Sequence, residues 1–214
     1  MTDTATHAAP ESASAFLYQL DRAVYHLAVS SAQATVGVET DDDVAVLAPD
    51  GKGILEQDKL SNQGTGHPFQ DRGKGLWNTL LIWLQAARDG EERHRVAELH
   101  MVTNRPVPSR ALVWRIGQAS RSDDEVKACV AELRKIARDP AKSMADLMAA
   151  VCAFDDDAIS AVIRRVRVRD SGSATDGPAL RQKIVDALHI PPELNSGRVV
   201  QAMLEVDPEF WTTP

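Results

Sequence analysis

The stretch TVGVETDDDVAVLAPDGKGILEQDK, from Thr35 to Lys59, decides how this chain folds. Val36 and Val38 alternate with small or polar residues and predict a short strand over Thr35 to Glu39. Asp43 to Leu47 reads as a second strand and Ile54 to Lys59 as a third. Between them, Pro49-Asp50-Gly51-Lys52-Gly53 is a turn with a mechanism, because proline presets one dihedral and glycine takes the positive one. The second and third strands are therefore expected as a hairpin.

Outward from this stretch the pattern is mixed. Phe16, Leu20, Val24 and Leu27 fall on one stripe and predict a helix over Phe16 to Ser30, with Ser12 or Ser14 as its cap. Ser61 to Gly75 is polar and glycine-rich and reads as a loop. Leu76, Leu80, Trp83 and Ala87 share a stripe, so Leu76 to Arg88 is a strongly apolar helix. Val96 to Thr103 follows as a strand, stopped by Asn104-Arg105-Pro106. From Ser122 onward helices dominate, over Glu125 to Arg138, Ser143 to Ala153, Gly177 to Leu188 and Gly197 to Glu205. Val162 to Arg169 alternates like a strand. The expected class is α/β: a core of helix, three strands, helix and strand, with a mainly helical C-terminal part. The shift near residue 120 predicts a division into a core at 15–120 and a helical subdomain at 121–214, after a leader at 1–14.

Composition narrows the class. Hydrophobic residues make up 43% of the 214, enough for a packed core. The net charge of −7 argues against a protein that coats nucleic acid by bulk charge, but it permits a local basic surface around an acidic site. No stretch approaches the roughly 18–20 unbroken apolar residues that span a bilayer, so no membrane partner is expected. Residues 1–14 have no basic segment followed by an apolar one, and they read as a frayed leader rather than a secretory signal. Cys129 and Cys152 fit neither a disulfide framework nor a metal knuckle and suit a reducing cytoplasm.

The chemistry-bearing residues cluster on the same three strands. Glu39 ends the first, Asp41-Asp42-Asp43 leads into the second, and Glu56-Gln57-Asp58-Lys59 closes the third. Side chains alternate along a strand, so Gln57 and Lys59 face one side while Glu56 and Asp58 face the other. Phosphodiester cleavage needs a neutralised phosphate and an activated water. Magnesium or manganese suits the first task, since a hard cation takes one or two carboxylates plus water and phosphate oxygens. Asp43 is the expected main ligand, Gln57 adds an amide oxygen, and Glu39 adds a carboxylate directly or through water. Lys59 is placed to hold the attacking water or to meet developing negative charge. An acidic triplet in a turn is ordinarily only solvated, and a lone Gln-x-Lys is common; the order of parts around them carries the reading.

That order resembles the PD-(D/E)xK double-stranded-DNA endonuclease domain of bacterial antiphage effectors of the CBASS and Lamassu types. The matching residues are Phe16-Leu17-Tyr18-Gln19, Glu39-Thr40-Asp41-Asp42-Asp43-Val44 and Leu55-Glu56-Gln57-Asp58-Lys59. Pro68-Phe69-Gln70-Asp71-Arg72, Leu76-Trp77-Asn78-Thr79-Leu80 with Trp83, and Val102-Thr103-Asn104-Arg105-Pro106 continue it. The resemblance covers residues 15–110 and extends weakly into the helical remainder. It implies a restriction-endonuclease-like core and metal-dependent cleavage of double-stranded DNA, with Asp43, Gln57 and Lys59 in the catalytic positions. It also implies a sensor module or an SMC-like ATPase partner, with an oligomer open. Two positions depart from the pattern: Gln57 stands at the middle acidic position, and Asn78 where a lysine is expected.

Other residues have structural readings beside functional ones. Arg72 and Lys74, in the loop after the hairpin, are the expected DNA contacts. Arg165, Arg167 and Arg169 suit a phosphate track, but charge protecting an edge strand accounts for them better. Trp77 and Trp83 read as core, and His67 alone of the histidines lies near the proposed site. Gly64-Thr65-Gly66 lacks the Gly-Lys-Ser/Thr of a phosphate loop. The rival readings are a non-catalytic adaptor that keeps the fold and an RNA-directed nuclease with the same site.

Overall fold

The computed structural model describes residues 8–61, 66–90, 93–119, 122–171 and 177–191. Helix α1 (Ala8–Val29) leads into strands β1 (Thr35–Val38), β2 (Val44–Leu47) and β3 (Gly53–Lys59). Helices α2 (Lys74–Asp89) and α3 (Arg93–Val96) precede β4 (Glu98–Thr103). Then come α4 (Leu112–Ala119), α5 (Asp123–Ile136), a 3-10 turn at Lys142–Met144, α6 (Ala145–Cys152) and α7 (Asp156–Ile163). Strand β5 (Val166–Arg169) and helix α8 (Gly177–Ala187) complete the described chain.

The chain is α/β, built on a five-stranded mixed sheet in the order β1-β2-β3-β4-β5. The β1–β2 and β2–β3 pairs are antiparallel, whereas β3–β4 and β4–β5 are parallel. The turn between β2 and β3 closes as its residues require. Gly51 takes φ 78°, a left-handed conformation that costs glycine nothing. Its N–H donates to Ala48 O at 3.1 Å, and Ala48 N–H donates to Lys52 O at 2.9 Å. Parallel neighbours need crossovers, and the helices α2–α3 and α4–α7 supply them.

Alternation along the strands sorts two cores. Leu55, Leu99, Met101 and Val166 pack with Leu76, Leu80 and Trp83 of α2, Ile116 of α4 and Leu133 of α5. This cluster draws its members from Ala45 to Val166. On the opposite face Val102 packs with Tyr18 of α1 and Leu180, Ile184 and Val185 of α8.

Several boundaries differ from the sequence reading. Helix α1 starts at Ala8, taking in residues 8–14 of the expected leader and placing Ser12 and Ser14 inside the helix rather than at its cap. Residues 1–7 and the expected helix at Gly197 to Glu205 lie outside the described residues. The strand expected from Val162 begins at Val166, because Asp155 caps a helix there: its carboxylate accepts from Ala158 N–H at 2.7 Å. Ile159, Val162 and Ile163 then fall on one buried helical face, and spacings of three and one fit a helix better than alternation. Helix α4 was not foreseen. Among the described residues no helix is long and apolar enough to cross a membrane.

A buried ion cluster fastens α1 to the sheet. Glu56, on the α1 side of β3, is fully buried. Arg22 clamps it with two hydrogen bonds, Nε to Oε2 at 3.0 Å and Nη2 to Oε1 at 2.7 Å. His26 Nε2 lies 2.8 Å and His100 Nδ1 3.2 Å from the same Oε1. Burial pushes the Glu56 carboxyl up, but the Arg22 charge and the two histidine contacts outweigh it and hold it well below the usual range. Truncating one partner strands a buried charge, which costs about 3–5 kcal/mol. Arg22→Ala should therefore lose about that much in urea denaturation at pH 7. A depressed carboxyl gives stability above its unfolded value, about 4.3, that is lost as pH falls through its folded value. Without Arg22 the folded value rises, so the acid unfolding limb of Arg22→Ala should move to higher pH. An unchanged limb would remove the clamp from this account.

Candidate active site

The pairing of Val44 with Glu56 sets Asp43 opposite Gln57, one step beyond the last ladder pair. Residues directly opposite on antiparallel strands share a face. Asp43 Oδ2 accepts the Asp58 N–H at 2.7 Å and Lys59 Nζ at 3.1 Å. Lys59 Nζ also donates to Gln57 Oε1 at 3.0 Å. Three of the sequence-predicted residues, Asp43, Gln57 and Lys59, thus meet through one ammonium.

The network continues inward through a residue to which the sequence reading gave no role. Gln57 Nε2 donates to Asp42 Oδ1, which also accepts Asp43 N–H at 3.2 Å. The other oxygen, Asp42 Oδ2, accepts the indole N–H of Trp83 at 2.8 Å. Burial pushes the Asp42 carboxyl up to about 6; the bonds from Trp83 and Gln57 restrain it, and the Asp43 charge adds to the rise. Asp42 and Gln57 are buried, while the Asp43 and Lys59 side chains are 16% and 29% exposed. Solvent and any ligand therefore meet the Asp43–Lys59 end.

Comparison with family models, curated proteins and solved structures finds no match.

The remaining predicted residues lie apart from this set. Glu39 is exposed with φ 52°, and its backbone N–H donates to Asp43 O at 3.1 Å, closing the turn between β1 and β2. Its carboxylate makes no hydrogen bond or ion pair with Asp43, Gln57 or Lys59 among the described residues. Arg72 is exposed and donates to the carbonyl of Asp139, and Lys74 is the exposed first residue of α2. Arg165 donates to Ala97 O at 3.3 Å, and Arg167 pairs with Glu98 at 3.3 Å at the β5 edge. Trp83 is fully buried as expected of core, yet it also serves the network. The one sequence signal for this was general: a buried indole N–H needs an acceptor.

Among the described residues no three His, Cys, Asp or Glu side chains converge to hold a metal ion. The donor set that is present, one carboxylate and one amide oxygen, suits a magnesium-like cation that keeps most of its water. Asp43 Oδ1 takes part in none of the bonds that occupy Oδ2, so it can serve such a cation.

On the other face of β3 the Asp58 carboxylate is buried, and neither oxygen has a hydrogen-bond partner among the described residues. Burial first, and then the Glu56 charge, raises its pKa well above the usual value, against the opposing pull of Arg22. A raised carboxyl gives stability that is complete below its unfolded value, about 3.9, and is lost as pH rises through the folded value. Asp58→Asn removes that dependence. In denaturation at pH 8 the variant should be more stable than the parent by at least about 1 kcal/mol, and at pH 4 the two should agree within about 0.5 kcal/mol. Equal stability at both pH values would show that the Asp58 carboxyl is relieved in solution.

Proposed function

We propose that the chain is a metal-dependent endonuclease that hydrolyses phosphodiester bonds of double-stranded DNA on a restriction-endonuclease-like core. The observation that carries this reading is the bridging of Asp43 Oδ2 and Gln57 Oε1 by Lys59 Nζ at the open end of the β2–β3 pair. The order of helix, three strands, helix and strand supports the same core.

In this reading Asp43 and Gln57 hold a magnesium or manganese ion through a carboxylate and an amide oxygen. When bound, that ion supplies Lewis acidity and a water of lowered pKa. Lys59 orients the attacking water and meets the charge that develops on the phosphate, an interaction stronger in the transition state than in the ground state. Asp43 keeps the ammonium in place at 3.1 Å. Arg72 and Lys74 contribute exposed cations at the start of α2 for the DNA backbone. The activity fits an effector of antiphage defence. A double-strand nuclease harms its own cell unless restrained, so a sensor module or an SMC-like ATPase partner governs it, and the isolated chain is weakly active.

The test is cleavage of supercoiled plasmid at micromolar protein with magnesium or manganese, with and without chelator. Asp43→Ala should abolish metal-dependent cutting. Lys59→Ala should keep the fold and DNA binding and lose about 100-fold in rate. Lys59→Arg should not recover it, since a planar guanidinium does not replace a compact charge. A Lys59→Ala protein that cuts like the parent would sink the catalytic reading and leave a nuclease-fold adaptor. Cleavage of duplex RNA with DNA untouched would move the substrate to RNA.

A further inference from the structure

A glutamine at the middle position of the site raises a problem that a carboxylate does not. The two ends of an amide are chemically opposite: the oxygen accepts and can ligate a cation, whereas the NH2 group donates and repels one. A freely turning Gln57 would present the wrong end to the cation side part of the time. The bonds around it remove that freedom. An ionised carboxylate has no hydrogen to donate, so Asp42 can pair only with the NH2 end of Gln57. Lys59 Nζ can pair only with the oxygen end, at 3.0 Å. Asp42 is itself held at both oxygens, by Trp83 Nε1 at 2.8 Å and by Asp43 N–H at 3.2 Å.

We propose that Asp42 is a positioning residue, which fixes the Gln57 amide with its oxygen toward Asp43 and Lys59. Trp83 of α2 anchors Asp42, so the large core beneath the sheet sets the orientation of the amide. Asp42 and Gln57 together then do what one acidic side chain would do alone. The carboxylate stays buried at 8% exposure, and the amide oxygen is what reaches the cation. The cation site and the catalytic consequence rest on the nuclease reading above; the orientation of the amide rests on the hydrogen bonds alone.

The test is a polarity swap. In Asp42→Asn the side chain has one accepting and one donating end. If its oxygen keeps the Trp83 bond, its NH2 faces Gln57 and favours the reversed amide. If its oxygen instead takes Gln57, Trp83 loses its acceptor. In the double variant Asp42→Asn with Gln57→Glu, the Asn oxygen keeps Trp83 and its NH2 donates to the new carboxylate. The pair between positions 42 and 57 is then restored with the donor reversed, while the Asp43 N–H, which donates to Asp42 Oδ1 at 3.2 Å in the parent, loses its acceptor as it does in Asp42→Asn alone. In Gln57→Glu alone, two carboxylates face each other.

The probe is manganese alone, with free ion read by electron paramagnetic resonance on the full chain, and thermal melting as the check on folding. Asp42→Asn should weaken manganese binding about 10-fold or more, the effect usual for a group that orients a ligand. Adding Gln57→Glu should be at least about tenfold more favourable in the Asp42→Asn background than in the parent. In the plasmid assay kcat should follow the same pattern while KM for DNA stays level. Gln57→Glu having the same effect in both backgrounds would overturn the proposal, as would an Asp42→Asn protein that binds manganese like the parent. A parent that binds manganese and shows the coupling but leaves DNA uncut sinks the nuclease reading and keeps the role of Asp42. A parent that cuts DNA without the coupling does the reverse, and one that neither binds nor cuts sinks both.

Discussion

The register of β3 against β2 governs almost everything else in this molecule. Val44 faces Glu56, which puts Asp43 across from Gln57 and leaves Lys59 within reach of both. A slip of one residue would turn Gln57 and Lys59 toward α1 and bring Glu56 and Asp58 to the site, because side chains alternate with a period of two. Two features oppose that slip. The left-handed Gly51 fixes the loop length of the hairpin. The Arg22 clamp on Glu56 rewards one face only, since an unpaired Glu56 in that position would carry the full cost of a buried charge.

The C-terminal half of β3 is thus charged or polar on both faces, which is unusual for a central strand flanked by parallel and antiparallel neighbours. The two faces handle the charge differently. Toward α1, Glu56 is fully satisfied by Arg22, His26 and His100, while the Asp58 carboxylate has no hydrogen-bond partner among the described residues and is held toward its neutral form. Toward α2, the polar groups form a chain that starts at a buried tryptophan and ends at a partly exposed lysine. The first arrangement fastens a helix to the sheet. The second grades from core to solvent, which is what a site must do if a rigid interior is to aim groups at a ligand.

Seen this way, the glutamine at position 57 is not a weakened acid but half of a pair. Its amide oxygen lacks the full charge of a carboxylate. With Asp42 behind it, the amide is polarised and cannot turn, because its NH2 end donates to a carboxylate that can only accept. The Asp43 and Lys59 side chains remain partly exposed at the open end.

The sequence by itself determined the hairpin, its turn and the face on which Gln57 and Lys59 lie. Those features depend on dihedral preferences and on alternation, which act over a few residues: Pro49 and Gly51 for the turn, Ile54 to Lys59 for the strand. It also marked the apolar stripe of α2, since Leu76, Leu80 and Trp83 repeat at helical spacing. It misread Val162 and Ile163, where a cap at Asp155 and burial in the main core outweighed alternation. The tertiary structure alone decided the partners of each carboxylate. The sequence singles out Asp43 but gives Asp42 no role, and only the arrival of Trp83 from α2, forty-one residues further on, makes Asp42 an internal acceptor. The approach of Lys59 and the Asp58 N–H makes Asp43 the outward-facing one. Likewise Arg22, His26 and His100 meet at Glu56 only because α1, β3 and β4 pack together. Hydrogen bonds between distant segments leave no periodic trace along a chain, so spacing could nominate these residues but not assign their partners.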